Sequence, residues 1–248
     1  MILKKEFEKI LKNKKYFLPI RRKKKINFKN YYKNVVDPDG KIRNFQNEKS
    51  QKIKQFKIIL DYLKNNKGGN ILDIGCGYGW MLSQLNNNKF TTHGLEINKG
   101  CEIIARKNLH YFSNSLKKFQ GTKFDYITLI HVIEHLRNPV HFIDQIKKML
   151  KKKGTFIIET PDFDSAMARK YNLKFRLLYD QTHISLFSLD SLTRLLRDKG
   201  FDIIKIEFPY FEGTFFTKKN LNKLFEKNSK NYSPPFYGSV MTIFCIKK

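Results

Sequence analysis

Acidic residues are scarce in this chain, and so are cysteine, proline and tryptophan. Against 49 Lys and Arg stand 22 Asp and Glu, for a formal charge of +27 over 248 residues. The three cysteines, Cys76, Cys101 and Cys245, are too few and too scattered for a disulfide framework or a zinc site. That usage sets the expectation of a reducing, cytoplasmic setting. There is no apolar run of about eighteen residues, so the sequence offers no membrane-spanning helix. The basic N-terminus is not followed by an apolar stretch, which argues against a secretory signal.

What is present is enough for a core. Hydrophobic residues make up 41% of the chain and aromatics 14%, which excludes a disordered polypeptide. The positive charge has two readings. One is a phosphate-bearing partner, either nucleic acid or an anionic membrane face touched peripherally. The other is plain composition: most of the cations are lysines, spread along the chain and often beside asparagine. Lysine is a solvated point charge and a weaker sign of specific recognition than arginine. The composition reading is preferred. The one real cluster is Arg21-Arg22-Lys23-Lys24-Lys25.

Residues 1–45 read as a basic arm. Asp37-Pro38-Asp39-Gly40 within it is a turn by residue type. From 46 to 66 the apolar positions Ile53, Phe56, Ile59, Leu60 and Leu63 have helical spacing. Strand and helix patterns then alternate. Strands are expected at Asn70–Ile74, Thr91–Ile97, Leu109–Ser113, Phe124–Ile130, Gly154–Thr160, Phe201–Phe208 and Phe236–Ile246. Helices are expected over 79–87, 98–108, Pro139–Leu150 and Ser188–Lys199, the last capped by Ser188 and stopped by Gly200. This order predicts an α/β, Rossmann-like three-layer fold with a mostly parallel sheet over residues 46–248. The last two strands lack a helix between them and predict an antiparallel hairpin. Two aromatic, basic inserts do not fit the sheet: 161–187, expected to cap the substrate, and 209–235.

The glycines of Ile71-Leu72-Asp73-Ile74-Gly75-Cys76-Gly77-Tyr78-Gly79 follow a strand and open a helix. Gly75 and Gly77 allow a tight turn and close approach to a ligand. Glycines alone are shared with dinucleotide enzymes. Asp73 would repel a pyrophosphate but favours a ligand with an ammonium and a sulfonium. Glu96, about twenty residues on, ends the second strand, where a carboxylate accepts ribose hydroxyls.

With these residues in view, Asp73–Gly79 resembles the first motif of class I S-adenosylmethionine (SAM)-dependent methyltransferases. His93–Ile97 resembles their second-strand acidic motif. Phe124-Asp125-Tyr126 through His131-Val132-Ile133-Glu134-His135-Leu136 resembles their fourth-strand segment. Thr182-His183 with Phe187-Ser188 resembles a bacterial subgroup that includes ubiquinone-type O-methyltransferases and sugar methyltransferases. The resemblance implies a seven-stranded sheet of order 3-2-1-4-5-7-6 with the last strand antiparallel. It implies SAM as cofactor, held by Asp73, Gly75, Cys76, Gly77, Gly79, Glu96, Ile97 and His131. Asn114 or Ser115 stands where the family often has an acid for the adenine amino group.

Candidate bases for an oxygen acceptor are His131, Glu134, His135 and His183, the last placed by the resemblance over the same pocket. In one reading His135 or His183 is the general base. In another, the four residues hold a divalent metal; the metal-dependent relatives carry Glu where His131 stands, so no residue is assigned as a metal ligand here. In a third, Glu134 and His135 are structural. His93 is expected in the core, His110 and His141 at the surface, Trp80 against the first helix, and Arg43 as a surface cation. The leading function is O-methylation of a small-molecule, glycan or lipid-linked acceptor. The alternatives are an RNA methyltransferase of the metal-assisted 2′-O type using the basic surface, and a SAM-binding scaffold without turnover. Thr160-Pro161-Asp162-Phe163 is not the motif of base N-methylation.

Overall fold

The computed structural model describes residues 16–20, 35–36, 42–85, 89–180, 182–208, 218–222, 225, 232–233 and 239–248. Seven strands form one sheet: β1 (Gly69–Ile74), β2 (Phe90–Leu95), β3 (Tyr111–Ser113), β4 (Phe124–Ile130), β5 (Leu150–Pro161), β6 (Phe201–Glu207) and β7 (Val240–Lys247). Their order is 3-2-1-4-5-7-6. The pairs β1–β2, β1–β4, β2–β3 and β4–β5 are parallel. Strand β7 is antiparallel to both its neighbours, β5 and β6. This is the expected topology.

Alternation along the strands sends apolar residues to both faces. Leu72, Ile127, Phe156, Ile158 and Ile243 enter one core, and Ile71, Tyr126, Ile157 and Phe244 enter the other. Helices α1 (Lys49–Gln55), α2 (Lys57–Lys64), α3 (Trp80–Ser83) and α4 (Glu102–Asn108) precede β4 in the chain. Helix α2 buries Ile59, Leu60 and Leu63 against the second core. Helices α5 (Pro139–Met149) and α8 (Leu189–Asp198) cover the first core with Ile143, Ile146, Leu192, Leu195 and Leu196. Ser188 caps α8 in a reciprocal box with Ser191.

Several elements differ in extent from the sequence pattern. The helix expected over 46–66 is a 3-10 turn, Phe45–Glu48, followed by α1 and α2 with a break at Phe56. The break has a packing reason: Ile53 joins Tyr78, Trp80 and Cys101, whereas Ile59 joins the sheet core. Helix α3 ends at Ser83, well short of 87. A 3-10 turn, Lys99–Cys101, precedes α4. Strand β5 begins at Leu150, and the last strand begins at Val240 and not at Phe236.

The insert 161–187 forms a small body of its own, with α6 (Ala166–Tyr171) and α7 (Arg176–Tyr179). Its core is Phe163, Met167, Tyr171, Phe175 and Leu186, and Leu18 from the N-terminal arm completes it. Leu18–Pro19 pairs antiparallel with Ser185–Leu186. Tyr16 donates to Asp198 of α8, and Phe17 meets Phe187. This part of the arm is therefore woven into the domain. The second insert also reaches the cap: Ser233 N–H donates to the Lys174 carbonyl, and Arg176 Nε to the Ser233 carbonyl. The basic run Arg21–Lys25, the turn 37–40 and Phe211, Phe215 and Phe216 lie outside the described residues. Among the described residues, no helix is long and apolar enough to cross a membrane.

Candidate active site

The glycine loop leaves β1 at its C-terminal end, where open α/β sheets take their ligands. Gly75 has φ +81°, and a Cβ there would lie 2.3 Å from Val132 Cγ2. Gly77 and Gly79 are also left-handed, and Gly79 starts α3. The loop is pinned from β2: Gly75 and Cys76 N–H both donate to the Leu95 carbonyl, at 2.7 and 3.1 Å. Glu96 holds it from the side, one oxygen accepting from Gly77 N–H and the other from Asn98 N–H. The two carboxylates singled out by sequence therefore flank one loop.

Asp73 is buried and accepts a 2.6 Å hydrogen bond from Thr128 of β4. Burial pushes its pKa up to about 7, the Thr128 hydrogen bond pulling it down and the Glu96 charge adding to the rise. Burial likewise pushes the Cys76 thiol well above its ordinary range. Ile97 is 69% exposed just beyond β2. Asn114 is exposed beyond β3, its amide donating to Glu102, and Ser115 folds back on Ser113. Trp80 packs against Tyr78 at the root of α3, the rings tilted by 32°. His93 is buried against Tyr111, Phe119 and Phe124. His110 and His141 are exposed.

An α-helical turn after β4 would put His131, Glu134 and His135 on one face by their spacing of three and four, but the segment does not form one. His131 takes a left-handed backbone, φ +53°, and Ile133–His135 is a single 3-10 turn. His131 N–H donates to the Glu159 carbonyl of β5. Its ring lies between two buried carboxylates, with Nδ1 3.2 Å from Glu134 Oε1 and Nε2 3.5 Å from Glu159 Oε1. Burial works against protonation of His131, but the Glu134 hydrogen bond and the Glu134 and Glu159 charges outweigh it and raise its pKa. For Glu134, burial favours the neutral acid, yet His131, His135 and His183 bring its pKa down to about 2. Thr160 donates to the other Glu134 oxygen. Burial raises the pKa of Glu159 in spite of His131 and the Thr242 hydrogen bond.

His183 comes from the cap to the same place. Its ring centroid is 4.9 Å from that of His135. His135 Nδ1 donates to the Thr182 carbonyl and His183 Nδ1 to the Leu177 carbonyl. Asp180 Oδ2 lies 3.8 Å from His183 Nε2. Ile184 N–H donates to the Glu134 carbonyl, so cap and β4 turn are joined directly. Ligand atoms of Glu134, His135 and His183 all lie within 4.8 Å of one another. All four residues proposed from sequence are thus brought together. Sequence reasoning missed Glu159, Thr160, Thr128, Asp180 and Lys52, whose charge acts on both His131 and Glu159. The signal for Glu159 was the one acid of β5, directly after the apolar run Phe156-Ile157-Ile158.

Residues 45–206 match the model of a family described as a methyltransferase domain. A mitochondrial ubiquinone biosynthesis O-methyltransferase of Dictyostelium discoideum is 31% identical over 114 residues, which is 38% of this chain and 36% of that protein. The chain thus spans about a third of that relative's length. A SAM-dependent methyltransferase from Archaeoglobus fulgidus superposes with a TM-score of 0.57 at 18% identity, over 80% of this chain and 94% of that one. Magnesium protoporphyrin IX methyltransferase from Synechocystis, solved with bound SAM, gives 0.52 at 14% identity over 80% and 81%. The chain belongs to the methyltransferase-domain family, and its residues 45–206 are a SAM-dependent methyltransferase domain.

Proposed function

We propose that this domain methylates a hydroxyl oxygen on a small-molecule, glycan or lipid-linked acceptor, with His135 or His183 as the base. The observation that carries the reading is the pair of imidazoles tied by Nδ1 to backbone carbonyls. A carbonyl only accepts, so Nδ1 carries a proton in each ring and Nε2 is the nitrogen that exchanges one, that of His183 lying 3.8 Å from Asp180 Oδ2. Burial lowers the pKa of His183, against the pull of Asp180 and Glu134, so it is neutral and basic at pH 7. Methyl transfer is an in-line displacement. The acceptor oxygen bonds to the methyl carbon as the carbon–sulfur bond breaks, sulfur keeps the electron pair, and the hydroxyl proton passes to Nε2. The Glu134 carboxylate, beside both rings, stabilises the imidazolium that results.

The glycine loop, Asp73 and Glu96 are the proposed SAM site. Asp73 supplies negative charge toward the cofactor ammonium, and Glu96 toward the ribose hydroxyls. A second reading is supported by the convergence of Glu134, His135 and His183. Two imidazoles and a carboxylate suit a transition-metal ion. Bound there, it would polarise the acceptor oxygen. The base reading is preferred because the two Glu134 oxygens already accept from Thr160 and face His131.

The test is a screen of metabolite fractions for label from methyl-tritiated SAM, followed by single-turnover rates on the active fraction. His135→Gln or His183→Gln should slow transfer roughly 10²–10⁴-fold if that residue is the base. A rate abolished by chelator and restored by a divalent metal would favour the second reading. Full rates in both variants would remove both.

A further inference from the structure

A second cluster of charge runs along α5 and reaches the end of the sheet opposite the glycine loop. His141, Asp144, Lys147, Lys148 and Lys247 line a cavity of about 390 Å³. Lys147 and Lys148 come from the last turn of α5, and Lys247 from the end of β7. Lys123, just before β4, donates to the Lys148 carbonyl at 2.7 Å, and Lys247 donates to the Leu150 carbonyl at 2.8 Å. Strand β4 has seven residues, so this end lies roughly 20 Å from the loop end.

The one acid lining the cleft is already engaged: Asp144 Oδ2 lies 2.7 Å from Lys199 Nζ. Lys147 lies over Gly200, where a Cβ would come within 2.6 Å of its Nζ. Burial, then the charges of Lys123 and Lys147, lower the pKa of Lys247, as expected of ammoniums crowded without enough counter-charge. Carbonyls at the end of α5 offset part of this. They take one of the three protons of Lys123 and of Lys247 and leave donors for a further acceptor.

We propose that this cleft is an anion site for a small, multiply charged phosphate compound such as a di- or triphosphate. Lysine ammoniums bind phosphate as point charges. The cavity falls in the size range of small-molecule sites, about 300–1,000 Å³. A nucleic-acid strand would call for a longer basic groove interleaved with stacking aromatics.

The test uses the full chain and calorimetric titration with tripolyphosphate at low ionic strength. The wild type should bind one equivalent. The double variant Lys147→Gln/Lys247→Gln should bind at least ten times more weakly. The control Lys117→Gln/Lys118→Gln, on the exposed turn after β3, should bind as the wild type does, and SAM affinity should be equal in all three. No binding, several equivalents, or equal weakening by the control pair would overturn the proposal. So would anionic vesicles or bulk RNA binding more tightly than tripolyphosphate in a way that Lys147→Gln/Lys247→Gln abolishes.

Discussion

His131 Nδ1 lies 3.2 Å from Glu134 Oε1, and a left-handed backbone at His131 is what turns the ring onto that carboxylate. Glu134 is fully buried, whereas the His131 side chain is 41% exposed. His131→Gln removes the cation and leaves the acid. The expected loss is about 1–3 kcal/mol, discounted from the buried-pair range for the exposure of His131. The pH dependence follows from both partners. The folded-state pKa of Glu134, about 2, is below its ordinary 4.5, so its contribution is present above 4.5 and fades as pH falls toward 2. His131 is raised above 6.5, so its contribution is complete below 6.5 and is lost as pH rises through the raised value. Melting temperature against pH should show both limbs in the wild type. A high-pH limb of equal size in His131→Gln would contradict the assignment.

Gly75 faces Val132 across the loop. Gly75→Ala combines a positive φ with a 2.3 Å clash and should cost roughly 2 kcal/mol and abolish calorimetric SAM binding. Adding Val132→Ala removes the clash but not the backbone strain. Partial recovery of stability in the double variant is expected, and full recovery would mean that the left-handed φ costs nothing.

Asp73, with a pKa of about 7, should make cofactor binding depend on pH near neutrality. In the proposed role, SAM prefers the ionised carboxylate. Its dissociation constant should therefore fall as pH rises through about 7 and level off above. Asp73→Asn should bind more weakly and lose this dependence. A wild-type affinity flat between pH 6 and 8 would count against Asp73 as the counter-charge.

Much of this was written plainly in the chain. The strands themselves followed from their apolar runs, because a period of two is short enough to read locally; their order came from the family resemblance and agrees with the sheet. His131, Glu134 and His135 were identified by type and spacing, and His183 by the family resemblance. What escaped was set by distant neighbours. The break at Phe56 keeps the same apolar spacing on either side, so only the two cores it serves reveal it. Glu159 reads as an oddity in β5 until His131 is placed beside it. Leu18-Pro19-Ile20 is a brief apolar stretch among lysines, with no period to betray a strand.

That stretch makes its own prediction. Leu18 is buried in the cap core, and Ile20 N–H donates to the Ile184 carbonyl, next to His183. Leu18→Ala should cost about 2–3 kcal/mol. Amide exchange should speed up at 184–186, with β1 and β4 unaffected. Uniform acceleration across the sheet would show that the cap is not a separate cooperative unit.

The pairing of Leu18 with Leu186 also orders events in time. Translation proceeds at about 5–20 residues per second. Residue 18 must therefore wait many seconds for its partner while the glycine loop, β2 and β4 are already outside the ribosome. A contact so distant along the chain forms late, after local strand–helix units have condensed. The half of the domain with the glycine loop can thus take shape before the half that holds His183. A nascent chain in that interval carries Leu18 and Phe17 uncovered.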